Sequence, residues 1–256
     1  MSIVLNEYKW AENAISEKEL GKKPFETLTR IAKYYTYQGL SKKDVRAKLD
    51  EFLLSTDPGV SLVTWSDTLD NAAKYATKYK LIMIDSITIT RPEMERIDAI
   101  DGKQLRRLAF TLLCLAKFSY TVSPKTDYWV STPDNEIMNM ANINTSIKRQ
   151  SAMFNQLREL GMIRFSKKID NLSVQILFVK GGDAVLEIND FRNLGYQYLM
   201  YHGEAYYKCQ CCGLACKVHQ TNQGRGPKQK YCPECAVKIR MKQNIESVMR
   251  IRYAKN

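Results

Sequence analysis

Histidine is almost missing from this chain: His202 and His219 are the two present among 256 residues. Neither lies near a Ser or Cys nucleophile motif, so the usual proton shuttle of hydrolytic chemistry has no setting here. No Gly-x4-Gly-Lys phosphate loop and no Gly-x-Gly-x-x-Gly fingerprint occurs. Gly224-Arg-Gly226 comes nearest, and no strand precedes it. The acidic residues are scattered, with no Asp-x-Asp pair to hold two catalytic metals. Apolar runs are short. Leu105 to Phe118 is too brief, and its flank Gln104-Leu-Arg-Arg107 too charged, to span a membrane. No charged-then-apolar leader opens the chain, and no repeat or low-complexity tract interrupts it. These absences predict a non-enzymatic, cytoplasmic protein with no membrane partner, long enough for two cores and a small tail.

Cysteine, by contrast, is concentrated. Six of the seven lie between 209 and 235, and Cys114 stands alone upstream. Cys209-Gln-Cys-Cys212-Gly213 and Cys232-Pro-Glu-Cys235 are two Cys-x2-Cys hooks, whose four thiolates complete a closed tetrahedral zinc site. One structural Zn2+ on Cys209, Cys212, Cys232 and Cys235 is the expectation. With sulfur in all four positions, no water is left to activate. Cys211 should point away, whereas Cys216 and His219 are near enough to replace a hook ligand. A disulfide cluster is the competing account, and it suits small secreted domains rather than this chain.

Around the hooks the chain is basic. Residues 208–256 hold eleven Lys and Arg against Glu234 and Glu246, which supplies +9 of the overall +12. Arg225, Lys228 and Lys230 belong to the polar loop between the hooks. Lys238, Arg240 and Lys242 belong to a helix over 236–253, where Val237, Ile239, Met241, Ile245, Val248, Met249 and Ile251 are interspersed with cations. A focused positive field favours a polyanion, because neutralised phosphates release counterions. A merely solvated basic tail, or an acidic protein partner, satisfies the same charge.

The tail resembles the C-terminal zinc ribbons of proteins from phages and mobile elements of Firmicutes. The matching residues are Cys209, Cys212, Gly213, Tyr231, Cys232, Cys235 and Ala236, over roughly a fifth of the chain. The resemblance implies a nucleic-acid setting in a bacterial host cell and names no activity. Cys211 and Cys216 depart from its simplest form.

Residues 102–180 carry a second constellation. Leu105 to Phe118 is apolar nearly all round and belongs at the centre of a core, with Cys114 a small buried hydrophobe. Tyr128-Trp-Val-Ser131 reads as extended, and Thr132-Pro-Asp-Asn-Glu136 opens a short helix. Thr145 is the expected cap of a longer helix to Glu159, stopped by Gly161. Strands Met162–Ser166 and Ser173–Val179 follow, joined by the basic tip Lys167-Lys168. This order, with Leu157-Arg-Glu-Leu-Gly-Met-Ile163 as helix end running into wing, resembles a winged helix-turn-helix. On the third helix, Ile147, Phe154, Leu157 and Leu160 share one side, with Met153 at its margin. Thr145, Lys148, Arg149, Ala152, Asn155 and Gln156 share the other. Arg can read guanine and Asn or Gln adenine in a major groove, while Arg164, Lys167 and Lys168 suit backbone phosphates. Polar helix faces that touch only water, and winged helices that dock proteins, are the alternatives.

The first hundred residues are mostly helical. Amphipathic segments are expected over 7–19, 26–38, 41–53 and from Thr64, punctuated by Gly21-Lys-Lys-Pro24, Gly39 and Asp57-Pro-Gly59. Leu81–Ile84 and Ile87–Ile89 read as a hairpin, and Thr90-Arg-Pro-Glu93 as a capping box. Glu26 to Tyr79 resembles the helical module that follows the catalytic part of plasmid and phage primases. That module's pattern is loose, and no primase carboxylate triad accompanies it. Tyr34, Tyr35, Tyr37, Tyr75 and Tyr79 can stack on bases or pack a core, and helical spacing favours packing. Val185–Ile188 reads as a strand, Phe191–Met200 as a helix, and Gly181-Gly182 as a hinge.

The expected protein is mainly α with small β elements. It has a helical domain over 1–80, a hairpin and winged helix over 81–182, a connector over 183–207, and zinc ribbon with basic helix over 208–256. The expected function is zinc-stabilised double-stranded DNA binding in transcription regulation or replication initiation. The alternatives are an adaptor or inhibitor of a host polymerase, replisome or defence complex, and an RNA-binding protein.

Overall fold

A computed structural model describes residues 3–167, 173–218 and 229–253, the last three of these by backbone alone. Helices dominate, with small antiparallel sheets between them. The chain divides into two compact units, Met1–Ser86 and Ile87–Asn256.

The first unit is built from α1 (Glu7–Ser16), α2 (Pro24–Tyr37), α3 (Lys42–Thr56) and α4 (Leu62–Lys78). Proline starts α2, and the Ser41 hydroxyl caps α3 by accepting from the Asp44 N–H. Leu28, Ile31, Leu49, Leu53 and Leu69 are fully buried at their junction. Burying each side chain contributes about 1.5–3 kcal/mol. Glu7 is also buried, held by Lys33 and Arg30 and by the Ile82 N–H. That last contact corrects the expected hairpin. Leu81–Ile84 runs beside the start of the chain, with Glu7 N–H to Ile82 O at 2.8 Å and Ile84 N–H to Leu5 O at 3.0 Å.

The other half of that expected hairpin, β1 (Ile87–Thr90), pairs antiparallel with β5 (Ala184–Ile188), nearly a hundred residues away. A local turn lost to pairing between apolar strand faces, since Ile87, Ile89 and Ile188 are all buried. The capping box at Thr90 forms as expected and starts α5 (Arg91–Asp98). Glu93 has no exposed surface. It accepts from the Thr90 N–H at 2.8 Å, from the Lys180 N–H at 3.1 Å and from Lys117 Nζ at 2.7 Å.

Helix α6 (Lys103–Val122) is the axis of this unit, with every side chain from Leu108 to Ala116 buried. Burial pushes the Cys114 thiol well above its ordinary range. Then come β2 (Trp129–Val130), α7 (Asp134–Met140), α8 (Ile147–Glu159), β3 (Ile163–Phe165) and β4 (Val174–Ile176). The three strands form one antiparallel sheet in the order β2-β4-β3.

Residues 183–207, expected as a connector, are part of the core. They supply β5 and α9 (Leu194–Tyr201), whose Leu194, Tyr198 and Leu199 are buried, with the Tyr198 ring 5.4 Å from that of Phe110 in α6. Gly195 lets α9 pass directly over the end of α7: a Cβ there would lie 1.9 Å from the Ala141 carbonyl oxygen. Gly181-Gly182 is tied down rather than hinged. Arg91 N–H donates to Asp183 O, Thr90 Oγ1 donates to Lys180 O, and Gly182 lies against Pro92. The last elements among the described residues are β6 (Tyr206–Lys208), β7 (Ala215–Lys217) and α10 (Pro233–Tyr253).

Candidate metal centre and basic surfaces

The β6–β7 hairpin and the start of α10 build the cysteine cluster. The first hook is the hairpin's turn: Lys208 pairs with Ala215, Cys209 N–H donates to Leu214 O, and Gly213 N–H to Cys209 O, both at 2.9 Å. Gly213 takes φ 72°, which tightens the chain behind the sulfurs. The second hook is the first turn of α10, begun by Pro233, with Ala236 N–H to Cys232 O at 2.9 Å. Gln210 N–H reaches Lys230 O at 2.9 Å and Tyr207 Oη reaches Tyr231 O at 3.0 Å, so the hooks are joined through backbone.

The sulfurs of Cys209, Cys212, Cys232 and Cys235 all lie within 4.8 Å of one another, and this group can hold a metal ion. The donor set passes a geometric test. A tetrahedron with metal–sulfur bonds of about 2.3 Å has sulfurs about 3.8 Å apart, and Cys212 and Cys232 Sγ are separated by 3.7 Å. The Cys235 N–H also points at Cys232 Sγ, at 3.4 Å. Burial opposes ionisation of the Cys209 thiol, yet N–H groups of Cys232, Cys212 and Cys211 bring it down to about 6. Burial and neighbouring thiols push the Cys235 thiol up.

Neither spare cysteine belongs to this four-sulfur group, although Cys216 packs against Cys209, Cys232 and Cys235. Cys211 is exposed, while Cys216 is buried on β7 with its thiol toward Leu214 O at 3.5 Å. His219 lies outside the described residues.

The cluster is fastened to the helical core by residues with no signature in the sequence. Arg192 Nη2 donates to Cys212 O at 2.7 Å, and the Asn193 amide donates to Ala215 O at 2.8 Å. Asp190 grips Arg192 by hydrogen bonds, which raise its pKa further. Nothing local marks these side chains, because their partners lie some twenty residues downstream.

On α8 the buried side is Met153, Phe154 and Leu157. Ile147 and Leu160, assigned to that side from sequence, are exposed, and Ile147 is 81 % so. They sit at the two ends of the helix, Ile147 as its first residue and Leu160 as its C-cap. The cap is Ser146, not Thr145: its hydroxyl accepts from the Arg149 N–H at 3.4 Å. Thr145 instead offers its carbonyl to Gln150 Nε2. Lys148, Arg149, Ala152 and Gln156 share an exposed face. Asn155 is half-buried, and its amide donates to Ser151 O at 3.0 Å. It lines a groove with Asp134, Phe154, Phe165 and Val174, and burial raises the Asp134 carboxyl pKa.

At the sheet's edge Arg164 is exposed and lies over the Trp129 ring, 5.8 Å from its centroid. Lys167 is exposed as well. Lys230, Lys238, Arg240 and Lys242 are exposed around the cluster and along α10. Lys168, Arg225 and Lys228 lie outside the described residues. Of the tyrosines weighed for base stacking, Tyr34 and Tyr35 pack on the first unit's core. Tyr37, Tyr75 and Tyr79 are exposed, and the last two stack on each other at 5.5 Å.

Among the described residues no helix is long and apolar enough to cross a membrane. Compared with protein-family models, curated proteins and solved structures, the chain has no match.

Proposed function

We propose that this chain is a zinc-stabilised, non-enzymatic DNA-binding protein of a phage or mobile element. It acts in transcription regulation or replication initiation in the cytoplasm of a bacterial host. The observation that carries the reading is α8: an exposed face of Lys148, Arg149 and Gln156 over a buried Met153, Phe154 and Leu157. Helix α6, strand β2, helices α7 and α8 and strands β3 and β4, in sheet order β2-β4-β3, are the arrangement expected of a winged helix. In that arrangement α8 enters the major groove and Arg164, Lys167 and Lys168 contact the flanking backbone. Arg149 is the first choice for base readout, since its guanidinium suits guanine O6 and N7. Asn155 needs a rotamer change before it can read a base, because its amide is engaged within the helix.

Zinc is the metal proposed for the cysteine cluster, because four thiolates in a closed tetrahedron suit Zn2+. Its contribution is structural: it ties the β6–β7 turn to the first turn of α10. Lys230, Lys238, Arg240 and Lys242 then add phosphate affinity without sequence preference.

The test is binding of the zinc-loaded full chain to double-stranded DNA, single-stranded DNA and RNA across a salt series. Duplex binding that weakens steeply with salt supports the proposal. Preference for RNA or single strands overturns the duplex assignment. No binding at physiological salt overturns it in favour of a protein-directed adaptor.

A further inference from the structure

Helix α10 leaves the cysteine cluster after Ala236, and every described side chain from Arg240 to Arg250 is exposed. Five of its exposed residues are large and apolar: Val237, Met241, Ile245, Val248 and Met249, with Met241 and Ile245 each 61 % exposed. At 100° per residue they fall in one stripe about 120° wide along the helix. Ile239 lies on the far side and is half-buried. Scattered exposed apolar residues need no explanation, but five along one stripe, interrupted near its start by Lys238, mark a contact surface.

The sequence of the stripe says what covers it. Setting two copies of α10 antiparallel, with Met241 of one facing Ile245 of the other, also sets Val237 against Met249. The row Val237, Met241, Ile245 and Met249 is therefore complementary to itself under one two-fold axis, as an isologous interface requires, while Val248 comes level with the aliphatic stem of Lys238. Charge agrees. In an antiparallel pair like edges meet, so Lys242 of one copy comes within about 3 Å along the axis of the level of Glu246 of the other. A parallel pair sets the Lys242 edge against the Arg240 edge, cation on cation. On the other edge of the antiparallel pair the two Arg240 stand about 9 Å apart along the axis.

We propose that α10 is a dimerisation helix, and that its partner is α10 of a second copy in an antiparallel pair centred between Met241 and Ile245. This does not depend on nucleic-acid binding, and its readout is mass in solution. Sedimentation equilibrium of the zinc-loaded full chain should show a reversible dimer. Ile245→Glu or Met241→Glu should leave a monomer with normal helix content and metal, because neither position packs on the described fold. Glu246→Lys should weaken the dimer roughly tenfold in Kd, and adding Lys242→Glu should restore it. A wild-type chain that stays monomeric at every accessible concentration overturns the proposal. So does a dimer that survives both stripe substitutions, or a charge exchange that fails to restore association.

Discussion

The side-chain amide of Asn142 donates to the side-chain oxygen of Asn193 at 2.9 Å, and both residues hold left-handed backbones, φ 55° and 53°. Asn142 lies between α7 and α8, and Asn193 opens α9. Each then reaches further. Asn142 Oδ1 accepts from the Tyr196 N–H, its carbonyl accepts from Arg107, and the Asn193 amide donates to Ala215 O beside the cysteine cluster. Two asparagines thus connect the base of α8 to the metal centre through hydrogen bonds rather than apolar packing.

Asn193→Ala should therefore cost about 2–3 kcal/mol, combining the left-handed backbone penalty with lost hydrogen bonds. Asn193→Gly should recover the backbone share, leaving about 1 kcal/mol. Urea unfolding of the zinc-loaded protein measures both, and equal losses for the two variants would contradict the backbone argument.

Glu93→Ala should destabilise the second unit by about 3–5 kcal/mol, since it strands Lys117 and two backbone N–H groups around a side chain with no exposed surface. Glu93→Gln keeps an acceptor but loses the ion pair, so it should fall between. Thermal unfolding ranks the three proteins.

Gly195→Ala should be among the most damaging single-methyl changes in the chain, because its Cβ would meet the Ala141 carbonyl at 1.9 Å. A loss above about 3 kcal/mol, or failure to fold, is expected. Gly213→Ala meets no atom within 4 Å and bears the cost of φ 72° alone, about 1–2 kcal/mol. Comparable melting temperatures for the two would sink the packing argument.

For the metal centre, Cys212→Ser should lower bound zinc well below one per chain, while Cys211→Ser should leave it at one. Chelation should unfold the β6–β7 turn and spare α6. Metal analysis after dialysis, with tryptophan and tyrosine spectra as a fold control, decides this. Zinc retained by Cys212→Ser and lost by Cys211→Ser would reassign the first hook.

For the nucleic-acid surface, Arg149→Glu should relax preference at one or two base pairs in a randomised-site selection. Neutralising Lys238, Arg240 and Lys242 together should weaken all sequences alike and flatten the log–log salt slope by about 3. An unchanged selection profile for Arg149→Glu would remove α8 from the readout.

The parts of this protein readable in its sequence are those whose physics is local. Cys-x2-Cys spacing determines which sulfurs meet, because a short turn carries both ligands. The apolar run of α6 determines a central helix, and Thr90-Arg-Pro-Glu93 determines a helix start, each within one or two turns of chain. Other features were settled between distant segments. Whether Ile87–Thr90 folds on Leu81–Ile84 or on Ala184–Ile188 depends on which apolar face it can bury, and both candidates look alike one at a time. The role of residues 183–207 rests on Gly195 against Ala141 and Asn193 against Asn142, contacts some fifty residues apart. Helical periodicity assigned Ile147 to a buried face, but periodicity gives only direction around the helix. How far the neighbouring core extends along that helix is a property of the tertiary structure, and it ends before Ile147.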